Sequence, residues 1–152
     1  VKRQFTGVFA KEWVEPMAHV LKNLGCEAAW VVHGSDGLDE LTTTGPSYVA
    51  ELKNGEVTTF EIKPFDANIP VVTAADLKGG DPAYNADAII GLLEGAIFPF
   101  RDVVIYNAAA SLIVAGKAED LQDGAVQATA SIDSGAAKAA LDKLVEITNS
   151  GN

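Results

Sequence analysis

The chain has one cysteine and one methionine in 152 residues, and aromatic side chains make up only 7%. The single cysteine, Cys26, excludes an internal disulfide and favours a reducing compartment, so the cytoplasm is the expected location. Cys26 follows Gly25 at a turn and has no histidine beside it, so it reads as a small hydrophobe rather than a nucleophile. Positive charge is also scarce: 11 Lys and Arg are scattered among 21 Asp and Glu, for a net charge of -10. A surface that grips nucleic acid needs clustered cations, and that partner class is set aside. Long apolar runs are missing as well. The most apolar stretch, Val103 to Val114, is too short to cross a bilayer and contains Asn107 and Ser111, so neither a membrane span nor a signal peptide is expected. The chain opens Val1-Lys2-Arg3 rather than on methionine, which is expected of a fragment or a processed piece.

What is present is 48% apolar residues, many of them alanine. That composition describes one globular domain with closely packed helices. Gln4 to Phe9 is β-rich. Lys11 to Leu24 predicts a helix whose apolar face carries Trp13, Met17, Val20, Leu21 and Leu24, with Gly25 at the C-terminal cap. Pro16 is compatible only with the first turn. Ala28 to His33 is apolar without alternation, as in a strand buried on both faces. Strand, helix, strand is the parallel crossover unit of α/β folds.

A hairpin follows. Tyr48, Ala50 and Leu52 alternate with polar residues, as do Thr58, Phe60 and Ile62, and Asn54-Gly55 supplies a turn that needs two positive φ angles. Pro64 to Pro70 reads as loop. From Asp81 onward the pattern is helical. Asp81 caps, Pro82 takes the first position, and Gly95 follows the last apolar residues. Further helices are expected over Asp102 to Ala115, Glu119 to Ser134 and Ala136 to Thr148.

Three stretches are candidates for chemistry. Asp39-Glu40, in the glycine-flanked loop after the second strand, offers adjacent hard oxygens to Mg²⁺, with Asp36 nearby. In open α/β sheets ligands gather at the carboxyl ends of strands, where this loop lies. Lys78-Gly79-Gly80-Asp81 precedes a helix, where free amides can hold an anion, but Asp81 at the cap would repel one. Asn107 is a polar side chain on a helix otherwise apolar, and is expected to be a structural tie. His19 and His33 lack partners at triad spacing.

Together these stretches resemble one family. Val31-Val32-His33-Gly34 with Asp36-Gly37-Leu38-Asp39-Glu40 resembles the metal-binding segment of anthranilate phosphoribosyltransferases, and Gln4 to Val8 the strand before it. Leu77, Gly79-Gly80-Asp81 and Asn85-Ala86, then Asn107-Ala108-Ala109-Ala110 with Ala115-Gly116-Lys117, are similar to its later helices. Ile132-Asp133-Ser134-Gly135 with Ala137 is similar to its penultimate helix end. The match runs in order over nearly the whole chain.

The resemblance implies an α/β fold, the C-terminal part of a mixed, largely parallel sheet flanked by helices and ending in a helical segment. It implies transfer of a phosphoribosyl group from phosphoribosyl pyrophosphate to anthranilate, in tryptophan biosynthesis, with Asp39 and Glu40 coordinating the Mg²⁺ that holds the pyrophosphate. The family's Gly-Thr-Gly-Gly-Asp and Lys-His-Gly-Asn segments are absent, as are its anthranilate-holding arginine and asparagine. Residues 1–152 are therefore expected to be the C-terminal portion of the catalytic α/β domain, inactive without an N-terminal half. The complete enzyme is expected to be a homodimer. A pyrimidine nucleoside phosphorylase is the competing enzyme, opposed by the Asp36 to Glu40 segment. A non-enzymatic relative acting as a binding module is the other alternative, and its nucleic-acid-binding form is opposed by the net charge of -10.

Overall fold

The computed structural model describes residues 1–151. Four strands form one mixed sheet in chain order: β1 (Arg3–Gly7), β2 (Ala28–Gly34), β3 (Ser47–Lys53) and β4 (Glu56–Ile62). β1 and β2 run parallel, with Arg3 opposite Ala28 and Gly7 opposite Val32, and α1 (Val14–Asn23) makes the crossover between them. The β2–β3 and β3–β4 pairings are antiparallel. The last turn is the expected Asn54-Gly55, with φ of 53° and 80°.

β2 divides the hydrophobic interior. Ala29 and Val31 face one side, with Val14, Ala18 and Leu21 of α1 and with Ala50 and Leu52 of β3. Trp30 and Val32 face the other, against Ile105, Tyr106, Ala109 and Ala110 of α3 (Pro99–Ala115) and Ala125 and Ala128 of α4 (Leu121–Asp133). The layers are thus helix, sheet, helices. α2 (Pro82–Leu93) begins at the Asp81 cap, whose carboxylate accepts the Tyr84 N–H at 2.9 Å. α5 (Ala136–Asn149) has no buried residue. No helix among the described residues is long and apolar enough to cross a membrane.

Three expectations need correction. The buried face of α1 is Val14, Ala18 and Leu21, so of the five residues expected there only Leu21 is inside. Trp13, Met17, Val20 and Leu24 are 49%, 38%, 49% and 78% exposed. Both sets share helical spacing, and the face carrying Ala18 allows the closer approach to the sheet. The helix expected from Asp102 begins at Pro99, after an extended Phe98, because proline's missing N–H costs nothing at the first helical position. Within the stretch expected to be loop, Pro64–Ala67 forms a 3-10 turn.

At Gly124, α4 packs closely on the backbone of α3. A Cβ there would meet the Ala109 Cα and carbonyl oxygen, each at 2.8 Å. Helical propensity alone would make Gly124→Ala stabilising by about 1 kcal/mol. Overpacking against backbone costs about 1–3 kcal/mol and should win. Gly124→Ala is therefore expected to lower the melting temperature, and a rise would show that the helices part without cost.

Candidate metal centre

β2 ends at Gly34, and the chain at once doubles back. The Gly34 N–H donates to the Leu38 carbonyl at 2.8 Å, and the Gly37 N–H to the Gly34 carbonyl at 3.0 Å. Gly37 has a φ of 95°, in the region that favours glycine. Inside this turn the Asp36 carboxylate accepts the Thr42 hydroxyl at 2.6 Å, the Thr44 hydroxyl at 2.7 Å and the Leu38 N–H at 3.3 Å. Burial pushes the Asp36 carboxyl up, but these hydrogen bonds together hold it below the ordinary aspartate range. Asp36 is committed to shaping the loop.

Asp39 and Glu40 follow, Asp39 exposed and Glu40 half-buried. Burial raises the Glu40 carboxyl above the ordinary glutamate range, the charges of Asp39 and Asp36 raise it further, and no hydrogen bond offsets them. A cation beside the pair would relieve that repulsion. Among the described residues no group of three or more His, Cys, Asp or Glu side chains is placed to hold a metal ion. The donor set fits a hard divalent cation that keeps several waters for an anionic ligand to replace, rather than a caged one.

The pair is held from two sides. A Cβ on Gly7, at the carboxyl end of β1, would lie 1.4 Å from the Asp39 carbonyl oxygen, so the loop backbone rests directly on that strand. On the other side, Leu41 is wholly buried and its N–H donates to Asn107 Oδ1 at 2.9 Å. Asn107 Nδ2 donates back to the Leu41 carbonyl at 2.9 Å and to the Val103 carbonyl at 3.0 Å. Asn107 is the structural tie expected, and its far end is this loop. The Thr42 N–H then donates to Ser47 Oγ at 3.0 Å, which joins the loop to the start of β3.

The other candidates fall elsewhere. Both polar groups of the Gly80 backbone are taken by the Asn85 side chain, at 2.9 and 3.1 Å, so Lys78 to Asp81 is a closed turn before a cap. His33 is buried and its Nδ1 donates to the Val8 carbonyl at 2.8 Å, since a carbonyl can only accept. His19 lies 3.7 Å from Glu15 on the exposed side of α1. The Cys26 thiol rests against the Lys2 and Ala28 carbonyls at 3.2 and 3.3 Å. Sequence reasoning missed Gly7, Thr42 and Thr44 as parts of the site. The run Thr42-Thr43-Thr44 after an acidic loop was the available signal.

The pattern describing the glycosyl transferase family, a/b domain, matches residues 1–138. Anthranilate phosphoribosyltransferase of Azospirillum brasilense is 62% identical over 149 residues, which is 98% of this chain and 42% of that protein. The enzyme of the same name from Rhodopseudomonas palustris (strain TIE-1) is 60% identical over 148 residues, 97% of this chain and 44% of that protein. The chain therefore spans less than half the length of these curated relatives. Among solved structures, anthranilate phosphoribosyltransferase from Thermus thermophilus superposes with a TM-score of 0.82 at 36% identity, covering 90% of this chain and 40% of that one. The Saccharomyces cerevisiae enzyme, solved in complex with PRPP and Mg, superposes with a TM-score of 0.82 at 23% identity over 92% of this chain and 41% of that one, a likeness of fold.

The loop's stability should depend on acid. Asp36 titrates below its unfolded value, so its contribution is fully present above the ordinary aspartate range and is lost as pH falls through the depressed value. Asp36→Asn is expected to cost about 1 kcal/mol at neutral pH, a figure discounted because the carboxylate is partly exposed. Urea unfolding at a series of pH values should show that deficit vanishing in acid. A deficit equal at every pH would assign it to shape rather than charge.

Proposed function

Because the chain belongs to the glycosyl transferase family through its a/b domain, we propose that it supplies the Mg²⁺-holding part of an anthranilate phosphoribosyltransferase. The observation that carries this reading is the Asp39–Glu40 pair, unneutralised and clamped at the carboxyl ends of the parallel strands β1 and β2. The names of the relatives, and the yeast enzyme's complex with PRPP and Mg, support it. The reaction transfers the phosphoribosyl group of phosphoribosyl pyrophosphate to anthranilate, giving N-(5-phosphoribosyl)anthranilate and pyrophosphate in tryptophan biosynthesis.

Asp39 and Glu40 would hold the cation, and Asp36 would hold the loop that presents them. Mg²⁺, when bound, neutralises the pyrophosphate leaving group, which a chain of net charge -10 would otherwise repel. The amine of anthranilate is already nucleophilic, so positioning can replace a strong general base. The chain's own residues would therefore hold and orient the cation, and none of them is assigned the role of a strong base. On this reading the stretch is the later portion of the catalytic α/β domain. The pyrophosphate cradle and anthranilate pocket would then lie outside residues 1–152. The complete enzyme would be a cytoplasmic homodimer.

In the complete enzyme, Asp39→Asn or Glu40→Gln is expected to lower Mg²⁺-dependent turnover tenfold or more, a loss of about 1.4 kcal/mol in the transition state. Steady-state rates against Mg²⁺ concentration test this; unchanged metal dependence in both variants would refute the assignment. Residues 1–152 alone are expected to show no turnover with Mg²⁺, anthranilate and phosphoribosyl pyrophosphate. Robust activity of that piece by itself would overturn the half-site reading, and recovery on adding the remainder separately would support it.

A further inference from the structure

We infer that Asn107 is a positioning residue for Glu40: it sets the backbone angle that aims this carboxylate at the cation. The inference rests on the metal reading proposed above and adds to it a residue from a different layer of the fold. Asn107 lies on α3, 66 positions from Leu41 in sequence, yet its Oδ1 accepts the Leu41 N–H and its Nδ2 donates to the Leu41 carbonyl, both at 2.9 Å. One side chain thus serves both backbone polar groups of one residue, as a neighbouring strand would.

The consequence for Glu40 follows from the planarity of the peptide bond. The Leu41 N–H lies in the plane that also holds the carbonyl carbon and Cα of Glu40, so fixing the direction of that N–H fixes ψ of Glu40. The peptide on the other side, whose carbonyl belongs to Asp39, lies against Gly7, where a Cβ would come within 1.4 Å of the oxygen. Both planes flanking Glu40 are therefore held, one by contact and one by hydrogen bonds. This fixed backbone holds Glu40 in a half-buried position beside the charges of Asp39 and Asp36. Asn107 is itself held: its second N–H donates to the Val103 carbonyl at 3.0 Å, and its neighbour Tyr106 is wholly buried. A tie that merely closed a loop on a helix would have the same partners, so the distinction must come from metal affinity.

The experiment uses the polypeptide as its gene encodes it, with Mn²⁺ as an EPR-visible probe titrated in the presence of inorganic pyrophosphate. Glu40→Gln is the benchmark and should weaken Mn²⁺ binding at least tenfold. Asn107→Leu should weaken it at least fivefold, and Asn107→Ala, which leaves room for water, serves if the leucine variant fails to fold. Asp120→Ala removes the cap of α4, whose carboxylate accepts the Asp123 N–H at 2.8 Å, and should lower the melting temperature without changing Mn²⁺ affinity. In the activity assay the Asn107 variants should need more Mg²⁺ yet approach the parent kcat at saturation. Asn107 variants that melt early but bind Mn²⁺ as the parent does would overturn the inference while leaving the site intact. Parent-like binding by Glu40→Gln would instead overturn the metal reading, and this inference with it.

Discussion

A strand with no water on either face must satisfy its backbone through neighbours on both edges and cover its side chains from both sides. β2 meets all four demands, with β1 and β3 at its edges and α1 and the α3–α4 pair above and below. Ala29 and Val31 are fully buried toward α1, and Val32 fully toward α3. Register is therefore fixed, since a slip by one residue would exchange the two cores. Fixing β2 also fixes where it ends, and the acidic loop begins at that point. The same burial places α3 against the underside of the sheet, close enough for Asn107 to reach Leu41. Core packing thus positions the strand ends and the Asn107 side chain that hold the loop.

Much of this fold was legible because its turns carry residues with few conformational choices. Asn54-Gly55 demanded a tight hairpin, Asp81-Pro82 a capped helix start, and Gly25 and Gly135 helix ends; Gly25 and Gly135 adopt φ of 82° and 78°. What was not legible depended on depth rather than on local preference. Trp13, Met17, Val20 and Leu24 repeat with the same helical spacing as Val14, Ala18 and Leu21, and only the approach of the sheet decides between them. The start of α3 was hidden because Phe98 offers no polar cap, though Pro99 marked the position. The role of Asp36 was hidden for another reason: adjacent carboxylates look alike in sequence. Only the positions of Thr42 and Thr44 separate the one that shapes the loop from the two proposed to hold a cation.

The candidate site divides its work in a way that suits a strongly acidic chain. Hydrogen bonds stabilise the Asp36 charge, and none offsets the burial and repulsion felt by Glu40. On the metal reading proposed above, the Asp39–Glu40 pair awaits a cation, and the chain supplies only part of the bound state. Spacing alone could not distinguish it from a solvated acidic turn. The family resemblance favours the metal reading, and the structure adds physical content: Asp36 is hydrogen-bonded within the loop, the pKa of Glu40 is raised by burial and by its neighbours' charge, and Leu41 is tied to Asn107.

The contact between Gly7 and the Asp39 carbonyl has a genetic consequence. Any base change in a glycine codon that alters the amino acid adds a β-carbon, and a β-carbon here would sit 1.4 Å from an oxygen. Position 7 is therefore closed to stepwise drift: every neighbouring codon with a different meaning forces the loop off its strand. Variation in the loop can be explored through the exposed side chains of Ser35 or Leu38. The seat of the Asp39 peptide on the sheet is thus inherited through a residue of a different strand.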